Sequence, residues 1–202
     1  NFPVETLGWR QTFQVLAAVT LVIGLIAAWM LVPNPAARGL YPDGDAHSGG
    51  ESASLSGMSM QAALRSKPFW LLFSASAIIS LGLFVPFVHL AKFSQDHGHA
   101  DSLSILLISL IGVGSMSGRL TLGGLADRFG RHRAMIAMFL GIAMVQVWWY
   151  SSTAYWALVV YAVLFGLFYG GYVALAPALA ADYFGTRNVG GILGVQYSSI
   201  AM

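Results

Sequence analysis

The sequence predicts an all-α integral membrane protein, a helical bundle of about five full spans and the start of a sixth. Three observations carry that expectation. Hydrophobic residues make up 57% of the 202 and charged residues only 9%, against about 25% charged in soluble domains. Apolar runs recur at the length a spanning helix needs, about 20 residues at 1.5 Å rise each. Nine of the ten Lys and Arg lie outside those runs.

Taken in order, the runs cover residues 11–32, 69–91, 103–122, 134–150 and 155–181, and a sixth starts at Val189. The first closes at Pro33 and the second follows Pro68, where a helix interior cannot continue or is about to start. The third is bounded by Asp101 and Gly123. From Ala134 to Ala181 there are 48 residues without a formal charge, too many for one crossing. Ser151-Ser152-Thr153 supplies the polar break that divides them into two helices joined by a hairpin. Because the chain opens on Asn1 and Met202 falls inside an apolar run, it is expected to be a piece of a longer protein, cut at both ends.

Placing alternate connections on opposite sides puts Arg38, Arg65, Lys67, Arg119, Arg128, Arg131, Arg133 and Arg187 on one side, and Arg10 and Lys92 on the other. Eight against two identifies the first side as cytoplasmic by the positive-inside rule. Residues 33–68, 118–133 and 182–188 are then expected in the cytoplasm, in a multi-pass protein of the plasma or inner membrane. The six Trp fall near predicted span ends, where amphipathic rings anchor at the interface. A net charge of +2 confined to short loops gives no support to a nucleic-acid partner. No Cys is present, so disulfides and thiolate metal sites are excluded. No cofactor is expected.

Residues 33–68 form the only long connection, with Pro33, Pro35, Pro42 and a Gly/Ser-rich centre, which is linker chemistry. One helix precedes it and four and a partial fifth follow it. The predicted organisation is therefore the end of one bundle in residues 1–32, a linker in 33–68 and a second bundle in 69–202.

Between the third and fourth runs lies a tight basic turn, Gly123-x-x-x-Asp127-Arg128-x-Gly130-Arg131-x-Arg133. Gly123 and Gly130 permit a sharp reversal. Asp127 can cap a helix or pair with an Arg, while Arg128, Arg131 and Arg133 can meet membrane lipid phosphates or helix C-terminal carbonyls. The spacing resembles the cytoplasmic-loop signature of major facilitator superfamily transporters. Gly8-Trp9-Arg10-Gln11-Thr12-Phe13, Phe87-Val88-His89-Leu90 with Asp96-His97-Gly98, and Phe184-Gly185-Thr186-Arg187-Asn188-Val189-Gly190 are similar to the monocarboxylate-porter and oxalate/formate-antiporter branch. The resemblance covers nearly the whole chain. It implies a major facilitator-type helical bundle, two six-helix halves joined by a long cytoplasmic loop. The first run would be the sixth helix, residues 69–202 helices seven to ten and the start of eleven, and the rest of the first half the chain's missing partner. It also implies that Gly123, Asp127, Arg128, Gly130, Arg131 and Arg133 act as a conformational latch.

Ionisable groups within a membrane point to function, and few exist here. Arg119 is expected at the inner end of the third run, and by the resemblance it takes the place of an Arg facing the substrate carboxylate. A guanidinium binds a carboxylate through two parallel hydrogen bonds. Ser115, one turn earlier, stands where those porters often carry an Asp. In the fifth run an aromatic that faces substrate in the family corresponds to Tyr169, with Phe165 one turn before it. Val173 replaces the small hydroxyl residue expected one turn later. His89 is an interfacial residue or a proton relay about 13 Å from the middle of its span. His97 and His99 near Asp96 and Asp101 are too weak a pattern for a metal site.

The function expected is a secondary active transporter, symporter or antiporter, moving a small organic solute by alternating access. A monocarboxylate is the expected class, an organic anion exchanged or carried with a proton or counter-anion. The alternative is a non-transporting membrane sensor or scaffold of the same fold. No enzymatic step is expected, since no nucleophile and base fall at one depth.

Overall fold

The computed structural model describes residues 2–30, with side chains from Gly8 onward, and residues 57–200. Val32, the linker residues 33–56 with Arg38, and the last two residues of the chain lie outside these. The chain divides after residue 52 into two compact units, the first holding α1 (Phe2–Met30). The second holds α2 (Met60–Leu64), α3 (Lys67–Leu83), α4 (Val85–Asp96), α5 (Asp101–Phe129), α6 (Arg131–Ser151), α7 (Tyr155–Phe184) and α8 (Val189–Ser198). Among the described residues five apolar helical stretches are long enough to cross a membrane: Gly8–Met30, Lys67–Asp96, Asp101–Phe129, Arg131–Ser151 and Tyr155–Phe184. The protein is a multi-pass integral membrane protein.

Helix α1 starts nine residues before the predicted span and bends at Gly8, whose φ of 74° is non-helical. Thr12 Oγ1 donates back to the Gly8 carbonyl at 2.9 Å, a side-chain bond one turn along the helix at the bend.

The second span is not one helix. It divides into α3 and α4 at Phe84, because Pro86 lacks the N–H that would bond the Gly82 carbonyl and its ring crowds that oxygen. The third span differs more from expectation. Helix α5 continues to Phe129, so Gly123, Asp127 and Arg128 are helical, and the predicted turn contracts to Gly130 alone. Gly130 has a φ of 91°, and its N–H bonds the Ala126 carbonyl at 2.9 Å. A side chain there would be strained, which is why one glycine suffices to end α5 and begin α6. Gly123 makes no close approach. Helix α7 contains Pro177 and continues to Phe184, three residues beyond the predicted run.

Helix α7 is the hub of the second unit. Half of its most apolar window is buried, against 22–28% for the other spans of that unit. Leu158, Tyr161, Ala162 and Phe165 of α7 meet Leu107 and Ile111 of α5, Ile142 and Val145 of α6, and Leu83 and Leu90 of α3 and α4 in one core. A second, smaller core joins Ala63, Phe69, Ala180, Phe184 and Ile192. It pins the last residues of the predicted linker: Met58 N–H bonds the Phe184 carbonyl at 2.8 Å, and Asn188 Nδ2 donates to the Met58 carbonyl at 3.2 Å. Past the Gly/Ser-rich centre, Ser59 caps α2 through the Ala62 N–H at 3.2 Å.

Candidate functional site

The site is built on the crossing of α5 and α7. Gly114 and Gly118 lie one turn apart on α5, Gly166 and Gly170 one turn apart on α7, and the two pairs interleave. A methyl group at Gly118 would strike the Leu167 carbonyl, and one at Gly170 the Ser115 carbonyl. The absence of side chains there lets the two backbones touch, as small-residue spacings permit in membranes.

This contact sets the depth of two predicted site residues. Arg119 follows Gly118, which sits against Leu167 and Gly171, so Arg119 and Tyr169 belong to the same level of the crossing. Ten residues, about 15 Å of helix, separate Arg119 from Phe129. It is therefore in the interior of α5, which continues beyond the predicted run. Its side chain is exposed and makes no hydrogen bond or ion pair among the described residues. Tyr169 is close to the middle of α7 and half-buried, and its hydroxyl has no hydrogen-bond partner among the described residues.

Phe165 is fully buried. Its ring is parallel to that of Tyr169 at 6.2 Å, and Phe87 of α4 closes on both, edge-on, at 6.0 and 5.5 Å. Phe165 thus backs Tyr169. His89 is exposed on α4, seven residues or about 10 Å before Asp96. His97 and His99 do not form a cluster: His97 Nδ1 lies 2.8 Å from the Phe93 carbonyl, and His99 Nε2 2.9 Å from that of Thr153.

Of the six predicted latch residues, the structure joins Asp127 and Arg131, and it adds Asp182. Arg131 Nε and Nη2 each lie 3.1 Å from Asp127 Oδ1, and Nη1 2.7 Å from Asp182 Oδ1. One guanidinium thereby ties α6 to the ends of both α5 and α7. Tyr183 and His132 repeat the α7–α6 tie, hydroxyl to Nδ1, at 2.9 Å. Arg128 and Arg133 make no ion pair among the described residues, and Gly123 and Gly130 lend only backbone.

Sequence reasoning missed Gln146. Its Nε2 donates to the Gly82 carbonyl at 2.7 Å, and its Oε1 accepts the Tyr161 hydroxyl at 2.7 Å. A lone amide inside the charge-free run 134–181 is the signal that could have found it. Ser76 and Gln196 form a second buried polar pair, Gln196 Nε2 donating to Ser76 Oγ at 3.1 Å, and nearby Ser80 Oγ donates to the Ser199 carbonyl at 3.3 Å.

A family model described as Major Facilitator Superfamily matches residues 3–202. Monocarboxylate transporter 12-B of Danio rerio is 32% identical over 64% of this chain and 28% of its own length. Monocarboxylate transporter 12 of Xenopus laevis is 31% identical over 65% of this chain and 30% of its own. An aspyridones efflux protein of Emericella nidulans is 29% identical over 60% of this chain and 25% of its own. The chain thus spans about a quarter to a third of the length of these relatives. With a match that runs almost from end to end, and with the helical bundle described above, the chain belongs to the Major Facilitator Superfamily.

Proposed function

We propose that the chain is part of a secondary transporter for a small organic anion, with a monocarboxylate as substrate. One observation carries the reading: Arg119 is a guanidinium in the interior of an apolar span, exposed and without an acidic partner among the described residues. A charge at that depth is costly unless it meets an opposite charge or water. A substrate carboxylate supplies the opposite charge and accepts two parallel hydrogen bonds. At the same level Tyr169 adds a hydroxyl donor, held by Phe165 and Phe87. Two relatives named as monocarboxylate transporters support this class.

In this reading a first bundle outside the described residues completes the cavity, and the halves rock about the substrate. The latch end, the α5–α6 junction from Asp127 to Arg133 together with residues 182–188, faces the cytoplasm. Arg131, shared by Asp127 and Asp182, biases the rocking, and His89 accompanies a coupled proton on the outer side. The test is uptake of radiolabelled lactate by the full-length protein in proteoliposomes, under an imposed pH or counter-anion gradient. Saturable uptake is expected, lost in Arg119→Gln and not restored by Arg119→Lys. Uptake that survives both substitutions would remove Arg119 from the site; no uptake of any small carboxylate under either gradient favours the sensor or scaffold.

A further inference from the structure

The end of the bundle that carries the Arg131 cluster has two adjoining cavities that the transport reading leaves unused. One, of about 300 Å³, lies between α3, α6 and α7 and is walled by Leu71, Leu72, Ala75, Ile136, Phe139 and Leu179. Its remaining lining includes Pro68 at the start of α3, His132 at the start of α6 and Tyr183 at the end of α7. All three are helix-terminal, so the cavity sits at a membrane boundary. The second, of about 320 Å³, shares Leu71 with the first and is lined by Arg65, Ser66, Lys67, Trp70 and Ser74. Neither Arg65 nor Lys67 is in an ion pair among the described residues.

We infer that these cavities together bind one anionic phospholipid of the adjacent leaflet, its phosphate at Arg65 and Lys67 and an acyl chain in the apolar cavity. Each half of the pair selects one half of the ligand. The first cavity is apolar apart from His132 and Tyr183, which bond each other, and its volume is at the lower end of small-molecule sites. The basic cavity holds two cations and no acid among its lining residues. Leu71 lies at the boundary, as a glycerol backbone would between headgroup and chain. A free anion would use only the basic half and a neutral lipid mainly the apolar one. The ligand that satisfies both is amphiphilic and negative. Because α3, α6 and α7 all border the cavity, an occupant would tether α3 to the helices tied by Arg131.

The test uses the full-length protein in neutral detergent, offered equal 1-palmitoyl-2-oleoyl phosphatidylglycerol and the phosphatidylcholine with the same chains, with retained lipid measured by mass spectrometry. Preferential retention of phosphatidylglycerol is expected. Two cations near a surface contribute enough that the double variant Arg65→Gln, Lys67→Gln should lower it on the order of ten-fold, with phosphatidylcholine unchanged. Ala75→Leu, which narrows the apolar cavity, should lower phosphatidylglycerol retention with both cations intact; Ile136→Phe on the opposite wall is the independent second filler. Unfolding midpoints in the same detergent show which filler is natively folded. Equal retention of the two lipids by the unaltered protein overturns the inference. So does undiminished phosphatidylglycerol retention in the folded fillers, which would mean a basic surface only or a cavity occupied by another part of the protein.

Discussion

Gln146 Nε2 donates to the Gly82 carbonyl at 2.7 Å, the oxygen that Pro86 leaves without a helical partner. An amide on α6 thus stands in for a backbone N–H missing from the α3–α4 break. Its Oε1 takes the Tyr161 hydroxyl from α7, so one side chain closes three elements around a helix discontinuity. Non-helical backbone is tolerated within membranes when neighbours satisfy it in this way.

Gln146→Leu removes both bonds. Interhelical side-chain bonds in membranes are worth about 1 kcal/mol, so the loss is expected to reach ~2 kcal/mol, read as a lower midpoint in detergent-denaturation titrations. Pro86→Ala returns an N–H to Gly82 and should recover about half of that in the double variant. Additive effects in the two-variant cycle would show that Gln146 does not serve the break.

The α5–α7 contact predicts opposite signs for two glycines on one helix. Gly118→Ala places a methyl group against the Leu167 carbonyl and should cost about 1–3 kcal/mol, the usual penalty of overpacking. Gly112→Ala meets nothing within 4 Å and should stabilise α5 by ~0.5–1 kcal/mol through helix propensity. The same titration distinguishes them; equal effects would mean that the crossing is looser than described.

Glycine spacings are readable because close packing needs small residues one turn apart, and both α5 and α7 carry them in the sequence. That each is the other's partner is not readable, since it depends on where the chain returns after α6. The helical extent of residues 123–129 was obscured for a related reason. Gly123, Gly124 and the charges all resemble turn chemistry, yet tertiary packing of Ala126 carries the helix on to Gly130. Asp182 was invisible as a latch partner because it stands 51 residues from Arg131. Arg119 was singled out by its charge in an apolar run and by the family resemblance; its level relative to α7 needed the Gly118 contact.

The Arg131 cluster predicts a functional effect larger than its energetic one. Its side chains are 35–64% exposed, so each pair is worth ~1 kcal/mol or less and weakens with salt. Asp127→Asn and Asp182→Asn should leave membrane insertion and unfolding midpoint nearly unchanged. A bias of 1 kcal/mol still alters a two-state ratio about five-fold. Initial uptake by full-length variants, corrected for the amount in the membrane, should therefore fall several-fold. Uptake at the unaltered rate in both would assign the cluster to topology alone.

Tyr169 offers a graded test of the proposed pocket. Tyr169→Phe removes only the hydroxyl and keeps the contacts with Phe165 and Phe87, so it should raise KM for a carboxylate about 2- to 10-fold, the value of one net hydrogen bond. Tyr169→Ala removes the ring as well and should abolish saturable uptake. Phe165→Ala leaves the hydroxyl in place but withdraws the buried ring behind it. If Phe165 acts by holding Tyr169, its loss should raise KM in the Tyr169 background and add little once Tyr169 is Phe. Comparing the two single variants with the double variant separates positioning from direct contact. Full additivity would instead place both rings independently, and indifference to Tyr169→Ala would remove the α7 face from the substrate path.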